Sequence, residues 1–125
     1  MKKAAADMVA EAKANVENVE PDTVERQVRS GDAVLVDIRD TPELEADGRI
    51  PGSVHVPRGM LEFRADPTSS YHEGSLDPSK RIILHCASGG RSALAAQTLK
   101  DMGYEDVAHM DGGIKAWKDA GKATE

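Results

Sequence analysis

The chain has 125 residues, 39% hydrophobic and 30% charged, enough for one globular domain with a real core and too few for two ordinary ones. Its net charge of -6 argues against nucleic acid as a main partner, since phosphate binding needs a basic surface, but a local pocket can still receive a small anion. A single cysteine excludes an internal disulfide and a cysteine-rich zinc site and points to a reduced, cytoplasmic setting. Met1-Lys2-Lys3 has signal-like charge, but Asp7 and Glu11 interrupt the apolar region a signal requires, and no stretch approaches membrane-spanning length.

Residues from about 3 to 16 predict a helix, with Met8, Val9, Ala12 and Val16 at helical spacing. Asn18 to Glu20 reads as a short strand. Asp22-Thr23-Val24-Glu25 is a capping-box pattern opening a second helix that Gly31 ends. Ala33 to Ile38 is continuously apolar and rich in β-branched residues up to Asp37, the pattern of a buried strand. Asp40-Thr41-Pro42-Glu43 is a second capping box, and Gly48 stops its helix. Ser53 to Val56 predicts a strand, and residues 58 to 64 a helical turn. Pro67 to Ser79 is a polar surface excursion. Arg81 to His85 is the next strand. A helix from about Arg91 to Met102 sets Ala95, Leu99 and Met102 on one face and ends at Gly103. Asp106 to Met110 is a last strand, after which Asp111 caps a final helix with Ile114 and Trp117 turned inward.

Strands alternating with helices, and too apolar to face water, indicate a parallel sheet covered on both faces. Ligands of such sheets sit beyond the carboxyl ends of the strands. Cys86 lies at one of those ends, followed by Ala87-Ser88-Gly89-Gly90-Arg91-Ser92 and then a helix. A lone cysteine is ordinarily a small buried hydrophobe. Here Gly89-Gly90 asks for a special backbone path, Ala87 and Ser88 carry no bulk to block access, and Arg91 brings a positive charge. A loop of this kind turns backbone N–H groups toward the sulfur and adds the field of a helix start. The helix terminus supplies about 0.3–2 kcal/mol of preference for a thiolate. Each hydrogen bond to the charged form adds about 1.5–3 kcal/mol. No general base is then required, and no histidine has a spacing that assigns it that role. His85 points to the opposite face of its strand, and His55 and His109 read as strand residues. The loop lacks the Lys-Ser/Thr of nucleotide-binding glycine loops.

These segments together resemble the rhodanese family of single-domain sulfurtransferases, from Val19 to Ala120. Val36 to Asp40 is similar to the family's first signature strand. Gly48 to Pro57 is similar to its Gly-His-Ile-Pro-Gly-Ala-x-x-x-Pro segment, with Arg49 for His and Ser53 for Ala. Cys86 to Ser92 resembles its active-site loop, and Asp111 to Trp117 its closing Gly-Gly-x-x-x-Trp.

The resemblance implies an α/β three-layer sandwich, a five-stranded parallel sheet flanked by helices on both faces, with residues 1–17 as an N-terminal helical extension and 18–125 as the domain. It implies double displacement through a persulfide on Cys86. The donor is thiosulfate or a persulfide, including a protein persulfide, and the acceptor is cyanide or a thiol, with a thioredoxin-like protein as a further partner. No cofactor, metal or membrane is implied. Ala87, Ser88, Gly89, Gly90, Arg91 and Ser92 form the cradle. Asp37 and Arg39 enter as a structural ion pair beside the site, with substrate contact as the alternative, and Arg58 as either a solvated surface charge or a residue of the entrance. From Cys86 to Arg91 the loop has six residues, the length of sulfur transfer, whereas related phosphatases and arsenate reductases carry seven. A carrier or sensor module is the alternative to an enzyme, and a phosphatase-like activity the weaker one.

Overall fold

In a computed structural model that describes residues 1–125, the apolar runs join into one parallel five-stranded sheet in the order β1-β5-β4-β2-β3. The strands are β1 (Glu17–Val19), β2 (Val34–Asp37), β3 (Val54–His55), β4 (Ile82–His85) and β5 (Val107–Met110). The helices are α1 (Ala5–Asn15), α2 (Pro21–Ser30), α3 (Thr41–Asp47), α4 (Leu61–Ala65), α5 (Gly90–Asp101) and α6 (Gly113–Asp119), with a 3₁₀ turn at Arg58–Met60. Alternate strand residues enter separate cores, as the two-residue pleat demands. Val36, Ile82, Leu84 and Cys86 pack with Leu61, Ala95, Ala96 and Leu99 of α4 and α5. Leu35, Ile83, Ala108 and Met110 pack with Val24 of α2 and with Ile114 and Trp117 of α6. The result is the expected three-layer sandwich, and β4, its central strand, delivers Cys86.

Local chemistry decides several boundaries. Pro21 takes the first turn of α2, and Glu20, not Asp22, is its N-cap. The anticipated capping box at Asp22 is not used, because the helix already begins at Pro21; Asp22 and Glu25 pair instead with Lys122 at 2.7 and 3.0 Å. The second box does form its return bond, from Asp40 N to Glu43 Oε1 at 3.1 Å. The last helix is capped by Gly112 rather than Asp111, whose carboxylate pairs with Lys13 of α1. Met102 falls past the end of α5 and is exposed. Buried Leu76 anchors the Pro67–Ser79 excursion. The stripe of α1 packs on α5 through buried Ala12, while Met8 stays exposed.

Candidate active site

β4 ends at His85, and the chain turns through Cys86–Gly89 into α5. Gly89 adopts φ +108, and a Cβ there would stand 3.2 Å from the Gly112 nitrogen. Gly113, at φ +61, lies even closer: a Cβ on it would come within 2.5 Å of the Cys86 and Ala87 backbones. This close approach lets the start of α6 hold the outer side of the loop. Ile114 N donates to Cys86 O at 2.9 Å, and Lys115 N to Ala87 O at 3.2 Å. On the inner side, Gly89 N and Ser92 N donate to the sulfur at 3.2 and 3.4 Å. Two amides thus face an atom that gains most from them as an anion.

The sulfur is buried, with only 1% of Cys86 exposed, so small neighbours do not by themselves open it to solvent. Outside it, Ala87 and Ser88 line a cavity of about 290 Å³ with Ile114, Asp47, Lys115 and Lys118. The two lysines were not singled out from sequence, because the turn into α6 is what brings them to the loop.

Arg91 serves differently from expectation. Its guanidinium makes a two-pronged pair with Glu43 of α3, at 2.7 and 2.9 Å. Arg91 holds the Glu43 carboxyl down to about 2, and Glu43 in turn raises the arginine, with a smaller contribution from Cys86. Much of the charge assigned to the cysteine is therefore spent on tying α5 to α3. Gly90 lies under α1, where a Cβ would touch Val9 at 3.8 Å.

Ser92 is completely buried. Its Oγ lies 3.5 Å from Cys86 Sγ, 3.3 Å from Gly89 O and 2.9 Å from Nδ1 of His109. Sequence spacing gave no reason to join His109 to the cysteine. The link exists because β5 sits beside β4, with His109 opposite Leu84.

Asp37 and Arg39 form a fully buried ion pair, with Oδ2 accepting from Nη2 at 2.8 Å and Oδ1 from Nε at 3.1 Å. Burial alone would raise the Asp37 carboxyl, but the Arg39 hydrogen bond, His85 and the Arg39 charge bring it below its ordinary value. Arg39 also donates to Gly48 O at 2.9 Å, clamping the end of β2 to the turn after α3. His85 lies beside Asp37, away from the sulfur, with 3.6 Å between Nε2 and Oδ2. Burial holds its imidazole below the ordinary value. No side-chain hydrogen bond joins Asp37 or Arg39 to the cysteine loop. Arg58 is not at the cavity beside Ala87 and Ser88: it pairs with Glu62 at 2.8 Å and lines the groove between α1 and α5. No cluster of metal-binding side chains is present, and no helix is long and apolar enough to cross a membrane.

The rhodanese-like domain family matches residues 20–120. A solved structure from Rhodopseudomonas palustris CGA009, described as a protein of unknown function and possible tyrosine phosphatase, superposes with a TM-score of 0.93 at 44% identity, covering 100% of this chain and 96% of that one. A sulfurtransferase of Allochromatium vinosum is 32% identical over 93 residues, 74% of this chain and 78% of the relative. The mouse thiosulfate sulfurtransferase/rhodanese-like domain-containing protein 3 is 30% identical over 95 residues, 72% of this chain and 60% of the relative. Two further curated relatives are longer still, the chain spanning 40% and 21% of them. From Glu20 to Ala120, through the cysteine loop and the glycine pair that braces it, this chain belongs to the rhodanese-like domain family.

Proposed function

We propose that this domain is a sulfurtransferase that carries sulfane sulfur on Cys86. The carrying observation is the pair of amides, Gly89 N and Ser92 N, aimed at Sγ while α6 restrains the opposite side of the loop. The thiolate attacks the outer sulfur of thiosulfate or a persulfide. The S–S bond of the donor breaks, sulfite or a thiolate leaves, and a Cys86 persulfide remains. An acceptor such as cyanide or a thiol then attacks the outer sulfur and returns the electron pair to Sγ. Ala87 and Ser88 of the loop line a neighbouring cavity with Lys115, Lys118 and Asp47, and both lysines are already engaged, Lys115 by Asp119 at 3.0 Å and Lys118 by the Asp47 carbonyl at 2.7 Å. A protein persulfide or a thioredoxin-like thiol suits the same chemistry, as does a reducing, cytoplasmic setting that keeps the thiol free. Within this reading, residues 1–17 are an extension packed on the domain formed by 18–125.

A phosphatase-like reading is favoured by the description of the Rhodopseudomonas palustris relative. It is weakened by the six-residue span Cys86 to Arg91 and by the engagement of Arg91 with Glu43, which leaves that guanidinium less free for a phosphate. The burial of the sulfur restricts access alike for an enzyme and for the alternative carrier or sensor role. Thiosulfate followed by cyanide, with thiocyanate as the readout, separates these. Turnover that vanishes in Cys86→Ser is expected. Sulfur loading seen by intact mass without turnover supports the carrier, and comparable hydrolysis of an aryl phosphate overturns the assignment.

A further inference from the structure

His109 is buried and takes no part in the displacement chemistry above, yet both of its ring nitrogens are engaged. Nε2 lies 2.6 Å from Oδ1 of Asn18 on β1. The amide of Asn18 cannot turn around freely, because its Nδ2 donates to Lys13 O at 2.9 Å and Val16 O at 3.0 Å. Its oxygen therefore faces the imidazole, and Nε2 carries the hydrogen. In the neutral ring, Nδ1 is then a lone pair, and the group facing it is the Ser92 hydroxyl at 2.9 Å. Gly89 O offers that hydroxyl a longer alternative at 3.3 Å. With its hydrogen on Nδ1, the Ser92 oxygen is left to accept from the thiol of Cys86 at 3.5 Å. One directed chain runs from Cys86 through Ser92 and His109 to Asn18.

We propose that Ser92 and His109 form a proton relay for Cys86, with Asn18 as the positioning residue that fixes the tautomer. The inference rests on the reading of Cys86 as the nucleophile. The S–H bond breaks as a hydrogen forms a new bond to Ser92 Oγ. The original Oγ–H bond breaks as Nδ1–H forms. The products are a thiolate and an imidazolium; Ser92 remains neutral and now donates to Sγ, while Nδ1–H donates to Oγ. The reverse transfer returns the proton to Sγ when the acceptor has taken the outer sulfur. No outside oxidant or base enters, and Nε2–H stays on Asn18 throughout.

The surroundings suit a base that rests neutral. Burial holds the His109 imidazole below its ordinary value; Asp111, on the same segment, raises it and Lys13 of α1 lowers it. Those two charges are paired with each other at 3.2 Å. The remaining groups on the ring are Ser92 of α5 and Asn18 of β1, both uncharged, with Cys86 beyond Ser92 at the end of β4.

The test is the pH profile of Cys86 alkylation by iodoacetamide, a neutral probe, between pH 5 and pH 9, in the full chain. His109→Gln and Ser92→Ala are expected to move the midpoint toward alkaline pH by about one unit, about tenfold in thiolate at neutral pH, with urea unfolding followed alongside. Profiles that keep the wild-type midpoint overturn the relay. So does a lower rate that accompanies lost stability without a displaced midpoint, which marks a structural role only. Should a variant fail to fold, the His109 imidazole of the unaltered protein is titrated by NMR before and after Cys86 is blocked. A displaced ring titration is expected, and an unchanged one refutes coupling. Alkylation requires no sulfur donor, so the relay and the sulfurtransferase reading fail separately.

Discussion

Gly113→Ala puts the bracing of the cysteine loop to a quantitative test. The residue sits at φ +61, where a side chain costs about 1–2 kcal/mol. Its new Cβ would stand 2.5 Å from backbone atoms of Cys86 and Ala87, so α6 and the loop must separate. Separation sacrifices the bonds from Ile114 N and Lys115 N, each worth about 1 kcal/mol net. The expected loss is about 3–4 kcal/mol, a large part of the stability of an ordinary domain. Gly121→Ala is the matched control, because its φ is +77 but nothing lies within 4 Å of the added Cβ, leaving only the conformational cost of about 1–2 kcal/mol. Urea unfolding of both variants, with thiocyanate formation measured alongside, reads the difference. Equal destabilisation of the two, with sulfur transfer retained in Gly113→Ala, refutes the bracing argument.

Asp37→Asn strands a buried guanidinium and is expected to cost about 3–5 kcal/mol in urea unfolding, with much of it restored by the double change Asp37→Asn and Arg39→Met; a loss below about 1 kcal/mol for the single change contradicts the clamp. The Glu43 carboxyl titrates at about 2 when folded and at 4.5 when free, so its stabilisation is complete above about pH 5 and disappears as pH falls through 2. Allowing for solvent at a pair with side chains 40% and 30% exposed, the difference between wild type and Glu43→Gln reaches about 1–2 kcal/mol at pH 6 and narrows by pH 2.5. Parallel stability curves from pH 6 to pH 2.5 rule that pairing out.

Local pattern exposed much of this architecture. Ala33–Ile38 and Arg81–His85 announce buried strands through their apolar runs, and Gly31 and Gly48 mark helix ends through a backbone freedom that needs no partner. The cysteine loop is legible for the same reason: strand, small residues and helix lie next to one another in sequence. What escaped depends on distant partners. Arg91 meets Glu43 across 48 positions, Lys122 reaches Glu25 across 97, and His109 reaches Asn18 across 91. The last contact requires β1 to pair with β5 at the sheet edge, a register that periodicity alone cannot supply.

The dependence of Cys86 and Ala87 on N–H groups from α6 has a consequence for the life of the molecule. A nascent chain that has emerged only through Ser92 holds the whole cysteine loop and yet lacks the helix that keeps it in shape. The carbonyls of Cys86 and Ala87 stay unbraced until residues made later arrive and dock. Transplanting the loop into another scaffold meets the same obstacle, because half of the apparatus is encoded more than twenty residues downstream.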